Sequence, residues 1–206
     1  QANGAKFDVP AGVSVMVAQP LLADPGSAGG GLTKSGGGRL KLSGANTFTG
    51  AIDVQGGDLF FSSADGLASG YAGAITVANE GAIGYAKAGG ATQLLTQLGT
   101  SSSGYLTLFV ENSADTVNFS AYPNMKLAFV DVTSYTGTYT AYQGQYVFKP
   151  EGSNVTFGAS MTDAGSIPGH LKIVGVSGSG MVLTGNSTFT GGVEIDGATV
   201  FMDHAN

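Results

Sequence analysis

The sequence has no cysteine and little charge of either sign. It carries 8 Lys and Arg and 14 Asp and Glu among 206 residues, for a net charge of −6. The absence of cysteine excludes a disulfide framework and thiolate metal sites, and it is compatible with export from a bacterium. Because the cations are scattered along the chain, the sequence predicts no basic face for a phosphate backbone and no nucleic-acid partner.

Long hydrophobic runs are also absent. No stretch approaches the roughly 18 consecutive apolar residues of a membrane helix, so we expect no membrane insertion by this segment. No charged-then-apolar leader precedes Gln1, which indicates a processed chain or a fragment.

What the sequence does contain is glycine, at 35 positions, with 42% hydrophobic residues, enough for a buried core. Short runs of alternating apolar and polar residues predict strands. These runs are 13–15, 40–42, 52–54, 75–77, 117–119, 155–157, 171–173 and 193–195. Most breaks between them are Gly-Gly or Ser-Gly rather than hairpin turns, which fits a coil whose turns stack at about 4.8 Å. We predict an all-β parallel β-helix (β-solenoid), with residues 1–206 as a single segment.

Residues 92–98 break the pattern. Leucines at 94, 95 and 98, a capping Thr92 and a closing Gly99 predict a short helical insertion that presses its leucines onto the stack.

One stretch occurs twice, because LSGANTFTG at 42–50 returns as LTGNSTFTG at 183–191, an offset of 141 residues. The repeated positions are Leu42, Gly44, Thr47, Phe48 and Gly50, answered by Leu183, Gly185, Thr188, Phe189 and Gly191. None of them is a reactive group, so what is reused is a backbone shape. We expect Phe48 in the interior and the Asn46 amide bonded to the backbone at a corner.

The copies, at about 36–67 and 177–206, resemble the autotransporter-associated β-strand repeat of bacterial surface and secreted proteins. The similarity rests on the nine-mers and their flanks, within 32–83 and 171–202. It implies a rung of a right-handed parallel β-helix in an extracellular passenger region, with no catalytic residues. The second copy departs from the first in having Ala198 in the place of Gly57. Under the same offset Asn206 lies opposite Asp65, so we expect the natural polypeptide to continue.

Residues for chemistry are few. Lys34 in Gly31-Leu32-Thr33-Lys34-Ser35 lacks the preceding glycine of a phosphate loop. His170 and His204 have no triad or metal spacing, and we predict neither a metal nor a cofactor. A β-helical polysaccharide lyase or hydrolase is the weaker alternative, and it would need acids from neighbouring rungs grouped in one groove. The candidate acids are Asp53, Asp58, Glu80, Glu111, Asp115, Asp131, Asp163, Glu194 and Asp196.

A tyrosine- and threonine-rich strip at 135–146 is the most suggestive binding feature. Tyr135, Tyr139, Tyr142 and Tyr146 could stack sugars, which makes a glycan-binding module the second functional alternative, or they could belong to the core.

The preferred interpretation is a non-enzymatic, extracellular structural or display segment that is adhesive or self-assembling. Its expected partners are neighbouring repeats or identical chains at the solenoid ends, and extracellular polysaccharide or a host surface.

Overall fold

The computed structural model describes residues 4–23, 26, 29–78, 80–152, 154–175 and 178–202, and within these ranges the chain is a parallel β-solenoid, as predicted. Its strands are short. The first eight are β1 Ala5–Asp8, β2 Ser14–Val17, β3 Leu32–Ser35, β4 Arg39–Leu42, β5 Ile52–Val54, β6 Gly57–Phe61, β7 Ile75–Val77 and β8 Gly81–Tyr85. After helix α1, Gly90–Leu95, come β9 Tyr105–Leu108, β10 Asn112–Ser113, β11 Val117–Asn118, β12 Lys126–Val130, β13 Ser134–Tyr135 and β14 Tyr139–Thr140. The last six are β15 Gln145–Glu151, β16 Asn154–Phe157, β17 His170–Val174, β18 Gly180–Leu183, β19 Val193–Asp196 and β20 Thr199–Met202.

One sheet runs the whole length of the described coil. Its nine strands stack in the order β2, β4, β6, β8, β9, β12, β15, β17 and β19. The second wall changes along the coil: β1, β3, β5 and β7 form it near the N-terminus, and β10, β13, β16, β18 and β20 form it towards the C-terminus. The pair β11 and β14 adds a third, short wall in the middle.

Alternation decides which side chains fill the coil. In β4, Leu40 and Leu42 are buried while Arg39 and Lys41 point outward, and in β18 Met181 and Leu183 are buried. Because the strands stack in register, apolar side chains lie above apolar side chains; Ile52, for example, pairs with Leu32 on one side and Ile75 on the other. The result is a continuous cluster of buried apolar residues from Val9 to Leu183.

Helix α1 begins and ends earlier than the predicted 92–98, since it spans Gly90–Leu95 and leaves Leu98 beyond its end. It starts at Gly90 rather than Thr92, because its first turn is capped from a distant part of the chain: the Asp115 carboxylate accepts the Ala91 N–H at 3.2 Å. Leu94 and Leu98 are buried and Leu95 packs partly against the core, as expected.

Candidate functional site

The first nine-mer is a loop that stacks on the turn before it through Asn46. The Asn46 side chain is buried, and its Oδ1 accepts the Leu21 N–H at 2.8 Å. Its Nδ2 donates to the carbonyls of Gly44, in its own loop, and Gly66, in the next turn. Asn46 therefore ties three consecutive turns together, which confirms the predicted amide corner.

The second nine-mer repeats this arrangement with a smaller residue. Ser187 stands where the first copy has Asn46, and its Oγ accepts the Met161 N–H at 3.2 Å and donates to the Gly185 carbonyl at 3.4 Å. The backbone matches too, since Thr47 N–H donates to Leu21 and Thr188 N–H donates to Met161.

The two glycines of each nine-mer lie where the loop meets the backbone of the preceding turn. A Cβ added at Gly44 would stand 2.6 Å from the Pro20 nitrogen, and one at Gly185 would overlap the Ala159 carbonyl. A Cβ at Gly50 or Gly191 would overlap the carbonyl of Gly29 or Gly169. The nine-mer recurs because its loop must lie this close to its neighbour, which explains the repeat without any reactive group.

The corner after the second copy accounts for its departure from the first. Gly57 takes a left-handed φ of 60°, and Gly197 takes one of 68° in the second copy. The left-handed residue lies one position earlier in the second copy, at Gly197, so Ala198 does not have to adopt a left-handed φ.

Phe48 lies in the interior, as expected. It is 4% exposed and meets Tyr71 edge to face with ring centroids 5.9 Å apart. Phe189 is only partly buried and lies 6.4 Å from the ring of Tyr146. The same sequence position thus has different burial in the two copies.

The tyrosine strip proposed as a ligand surface lies mostly in the core. Tyr135, Tyr139 and Tyr146 are buried, and Tyr139 packs against Phe148 at 5.3 Å. Burial is the main reason that the pKa values of Tyr135 and Tyr139 are raised. Tyr142 alone is partly exposed. Three of the four rings offer no free face to a sugar, so the strip is corrected to a core ladder.

The tyrosine hydroxyls satisfy loop backbone inside the coil. The single Tyr135 Oη proton is shared between the carbonyls of Asp115 and Thr138, each 2.8 Å away. Tyr146 Oη accepts the Thr162 N–H and donates to the Thr162 carbonyl. Tyrosine suits this task because its ring fills the core while its hydroxyl reaches the irregular wall.

Lys34 has a structural role that the sequence did not reveal. Its side chain is fully buried, and its ammonium donates to the carbonyls of Ser35, Gly36 and Gly56 at 2.8–3.0 Å. Desolvation lowers its pKa, although nearby Asp58 and Asp8 oppose the shift. The alternation Leu32, Lys34 in β3 was the available signal, because it places Lys34 on the inward face.

The outer side of the nine-stranded sheet is concave. β15 is the fifth neighbour of β4, and a flat sheet would hold these strands about 24 Å apart. Yet Arg39 of β4 pairs with Glu151 of β15 at 3.4 Å. The sheet must therefore curl outward to bring their side chains together. We call this surface, formed by the outward residues of β4 to β15, the concave face.

A small second core lies in the concave face. Ala82, Tyr105 and Ala128 form a separate buried cluster, and Phe60 stacks on Phe109 with centroids 4.8 Å apart. Small residues permit the close approach, since a Cβ on Gly84 would stand 3.0 Å from the Phe60 ring. The signal in the sequence was the run of Ala and Gly at outward strand positions flanked by aromatic residues.

Charged side chains cover this second core. Arg39 bonds Asp58 at 2.8 Å and lies 4.9 Å from the centre of the Phe60 ring. Lys149 bonds Glu151 at 2.6 Å and lies 5.1 Å from the centre of the Tyr105 ring. Burial lowers the pKa of Lys149, but the hydrogen bond and charge of Glu151 outweigh it and the pKa is raised.

The concave face brings together cations that are scattered along the sequence, so the expectation that they form no common face is wrong. Of the eight Lys and Arg in the sequence, the described sheet places five on outward positions of its outer side. These are Arg39, Lys41, Lys126, Lys149 and Lys172. The cations are distant in sequence but adjacent in register.

The last rung leaves the core open. Val193 and Ile195 are each 49% exposed, although their register partners Leu171 and Ile173 are fully buried one rung earlier. In the described coil β19 and β20 each pair on one side only.

The candidate acids do not converge on one site. Asp58 lies in the concave face, whereas Asp53 bonds Thr76 and Asp163 bonds Thr190. Across the described ranges no group of three or more His, Asp or Glu could hold a metal ion. His170 begins β17, and His204 lies outside the described residues. No helix among the described residues is long and apolar enough to cross a membrane.

Residues 32–59 and 178–200 match the family model described as the passenger-associated transport repeat. The two matched segments fall on the two copies of the nine-mer and their flanking strands. A search of the curated proteins and a search of the solved structures find no match to the chain.

Proposed function

Because the chain carries two passenger-associated transport repeats in a β-solenoid, we propose that it is an extended structural segment of a bacterial surface or secreted protein. The repeats and the fold fit an autotransporter passenger-type segment. What the repeats supply is stacking, through the loop-to-loop hydrogen bonds of Asn46 and Ser187 and the glycines beside them. Extension by stacking needs no reactive group.

The exposed last rung carries the proposal. Its inward-facing residues occupy core positions, but within residues 4–202 as described no further layer covers them. A further rung, from more of the same fold or from a second chain, would bury Val193, Ile195 and Met202 and pair the open edges of β19 and β20. We infer that association through the solenoid ends is the assembly mode of this segment.

A concentration series in sedimentation velocity tests the assembly mode. We expect the purified chain to associate as its concentration rises, and Ile195→Lys to abolish the association because a charge at an inward edge position blocks pairing. Met16→Lys is the control, since Met16 is exposed on the first rung but points outward beside Lys41. A monomer at every concentration, or equal loss in both variants, would contradict end-to-end assembly.

We also infer that the segment is not an enzyme. The two carboxylates grouped in the concave face, Asp58 and Glu151, are both bound by cations, which suits counter-ions better than a general acid. Release of reducing sugar from a panel of polysaccharides, lost in Asp58→Asn, would instead support the lyase or hydrolase alternative.

A further inference from the structure

The concave face concentrates positive charge in an acidic protein. Four of its outward residues are cations and two are carboxylates, Asp58 and Glu151. On β17, Lys172 extends the row of cations, but it is paired with Glu194 of β19 at 2.7 Å. The chain as a whole has a net charge of −6. An anionic ligand would therefore be directed to this face and repelled from most of the remaining surface.

The centre of the face presents two ammonium groups on one ring. Lys126 Nζ lies 4.8 Å and Lys149 Nζ 5.1 Å from the centre of the Tyr105 ring. Lys41 lies 5.8 Å from the centre of the Phe109 ring and makes no ion pair among the described residues. The rings hold the lysine stems in place, so less side-chain freedom is lost when an anion binds.

Hydrogen-bonding groups lie between these cations. Asp58 and Glu151 are acceptors at 24% and 22% side-chain exposure. A ligand that suits this pattern must carry spaced negative charges with hydroxyl donors between them.

We propose that the concave face binds an acidic polysaccharide, with the uronate carboxylates on Lys41, Lys126 and Lys149 and the sugar hydroxyls on Asp58 and Glu151. This site is separate from the tyrosine strip, and it does not depend on the solenoid ends. A nucleic acid fits less well, because one charge per about 1.7 Å of duplex would meet both carboxylates with few free cations to offset them.

Affinity electrophoresis and calorimetry with polygalacturonate test this site on the purified chain at low salt. We expect Lys41→Gln/Lys126→Gln to weaken binding at least about tenfold, and added salt to weaken it further. The matched control is Lys6→Gln/Lys87→Gln, which removes the same charge away from the concave face and should change affinity less than about twofold. Thermal unfolding of each variant checks its fold, and Lys41→Gln alone serves if the double variant does not fold.

Several results would overturn the proposal: no binding by the wild type, equal loss in both double variants, equal binding of uncharged dextran, or tighter binding of DNA than of polygalacturonate. The sedimentation experiment on Ile195→Lys is independent of this one, so failure of the polysaccharide site and failure of end-to-end assembly can be told apart.

Discussion

The two copies of the nine-mer have the same local structure, but the first follows a strand of the nine-stranded sheet and the second precedes one. In the first copy the loop leaves the nine-stranded sheet at β4 and leads to β5 in the four-stranded wall. In the second copy it leaves the five-stranded wall at β18 and returns to the nine-stranded sheet at β19. The motif therefore encodes a way of stacking a loop between two strands and not a fixed position around the coil.

The change of place happens in the middle of the molecule. There a turn contains three strands, such as β12 with five residues and β13 and β14 with two residues each, instead of two strands and a long loop. The loop shifts from one side of the nine-stranded sheet to the other across this region, and β9 and β12 of the concave face lie within it. The region without the repeat is thus where the coil changes its cross-section.

The largest expected difference between the copies is at the aromatic position. Phe48→Ala should lower the free energy of unfolding by about 3–5 kcal/mol, because it removes a large buried ring from the interior. Phe189→Ala should cost about 1–2 kcal/mol, because that ring is already partly in water. Urea unfolding of both variants measures the difference, and equal losses would show that the second copy is packed like the first.

A smaller difference is expected at the corner. Asn46→Ala should cost about 2–3 kcal/mol, because it leaves the Leu21 N–H and the Gly66 carbonyl unsatisfied in a buried place. Ser187→Ala should cost about 1 kcal/mol, since it loses the bond from the Met161 N–H and a long bond to the Gly185 carbonyl at a partly buried position.

Asn46→Ser sharpens this comparison because it copies the second corner into the first. Urea unfolding should place it between wild type and Asn46→Ala, with the bond from Leu21 N–H kept and the link to Gly66 lost. A stability equal to that of Asn46→Ala would mean that a serine in the first loop is too short to accept the Leu21 N–H.

The strands and the repeat could be predicted from the sequence because both follow from short-range periodicity. All eight alternating runs fall on strands, although Val13 lies before β2 and Phe119 after β11. The cap of α1 could not be predicted, since Asp115 is 24 residues from Ala91. The concave face also escaped prediction, because the Arg39–Glu151 pair spans 112 residues and depends on sheet curvature. The tyrosine strip was ambiguous, since alternation alone does not say which face of a strand is covered.

The smallest expected difference is in the response to acid. In the second copy the Asp163 carboxylate accepts the N–H groups of Gly169 and Thr190 at 2.7 and 2.8 Å, and these bonds lower its pKa. In the first copy the related link uses the Thr47 hydroxyl, which accepts the Ala23 N–H and does not titrate. A lowered folded-state pKa means that the carboxylate stabilises the loop above its ordinary pKa of 3.8 and that this stabilisation is lost as the pH falls through the lower value.

Amide hydrogen exchange, corrected for intrinsic rates, should therefore show the Thr190 and Gly169 amides losing protection between about pH 5 and pH 2. The Ala23 amide should keep its protection over the same range. In Asp163→Asn the protection of both amides should be weaker but independent of pH, because an amide side chain has one acceptor oxygen and no titrating proton. Parallel loss in the two loops would place the acid response in the coil as a whole and remove this distinction between the copies.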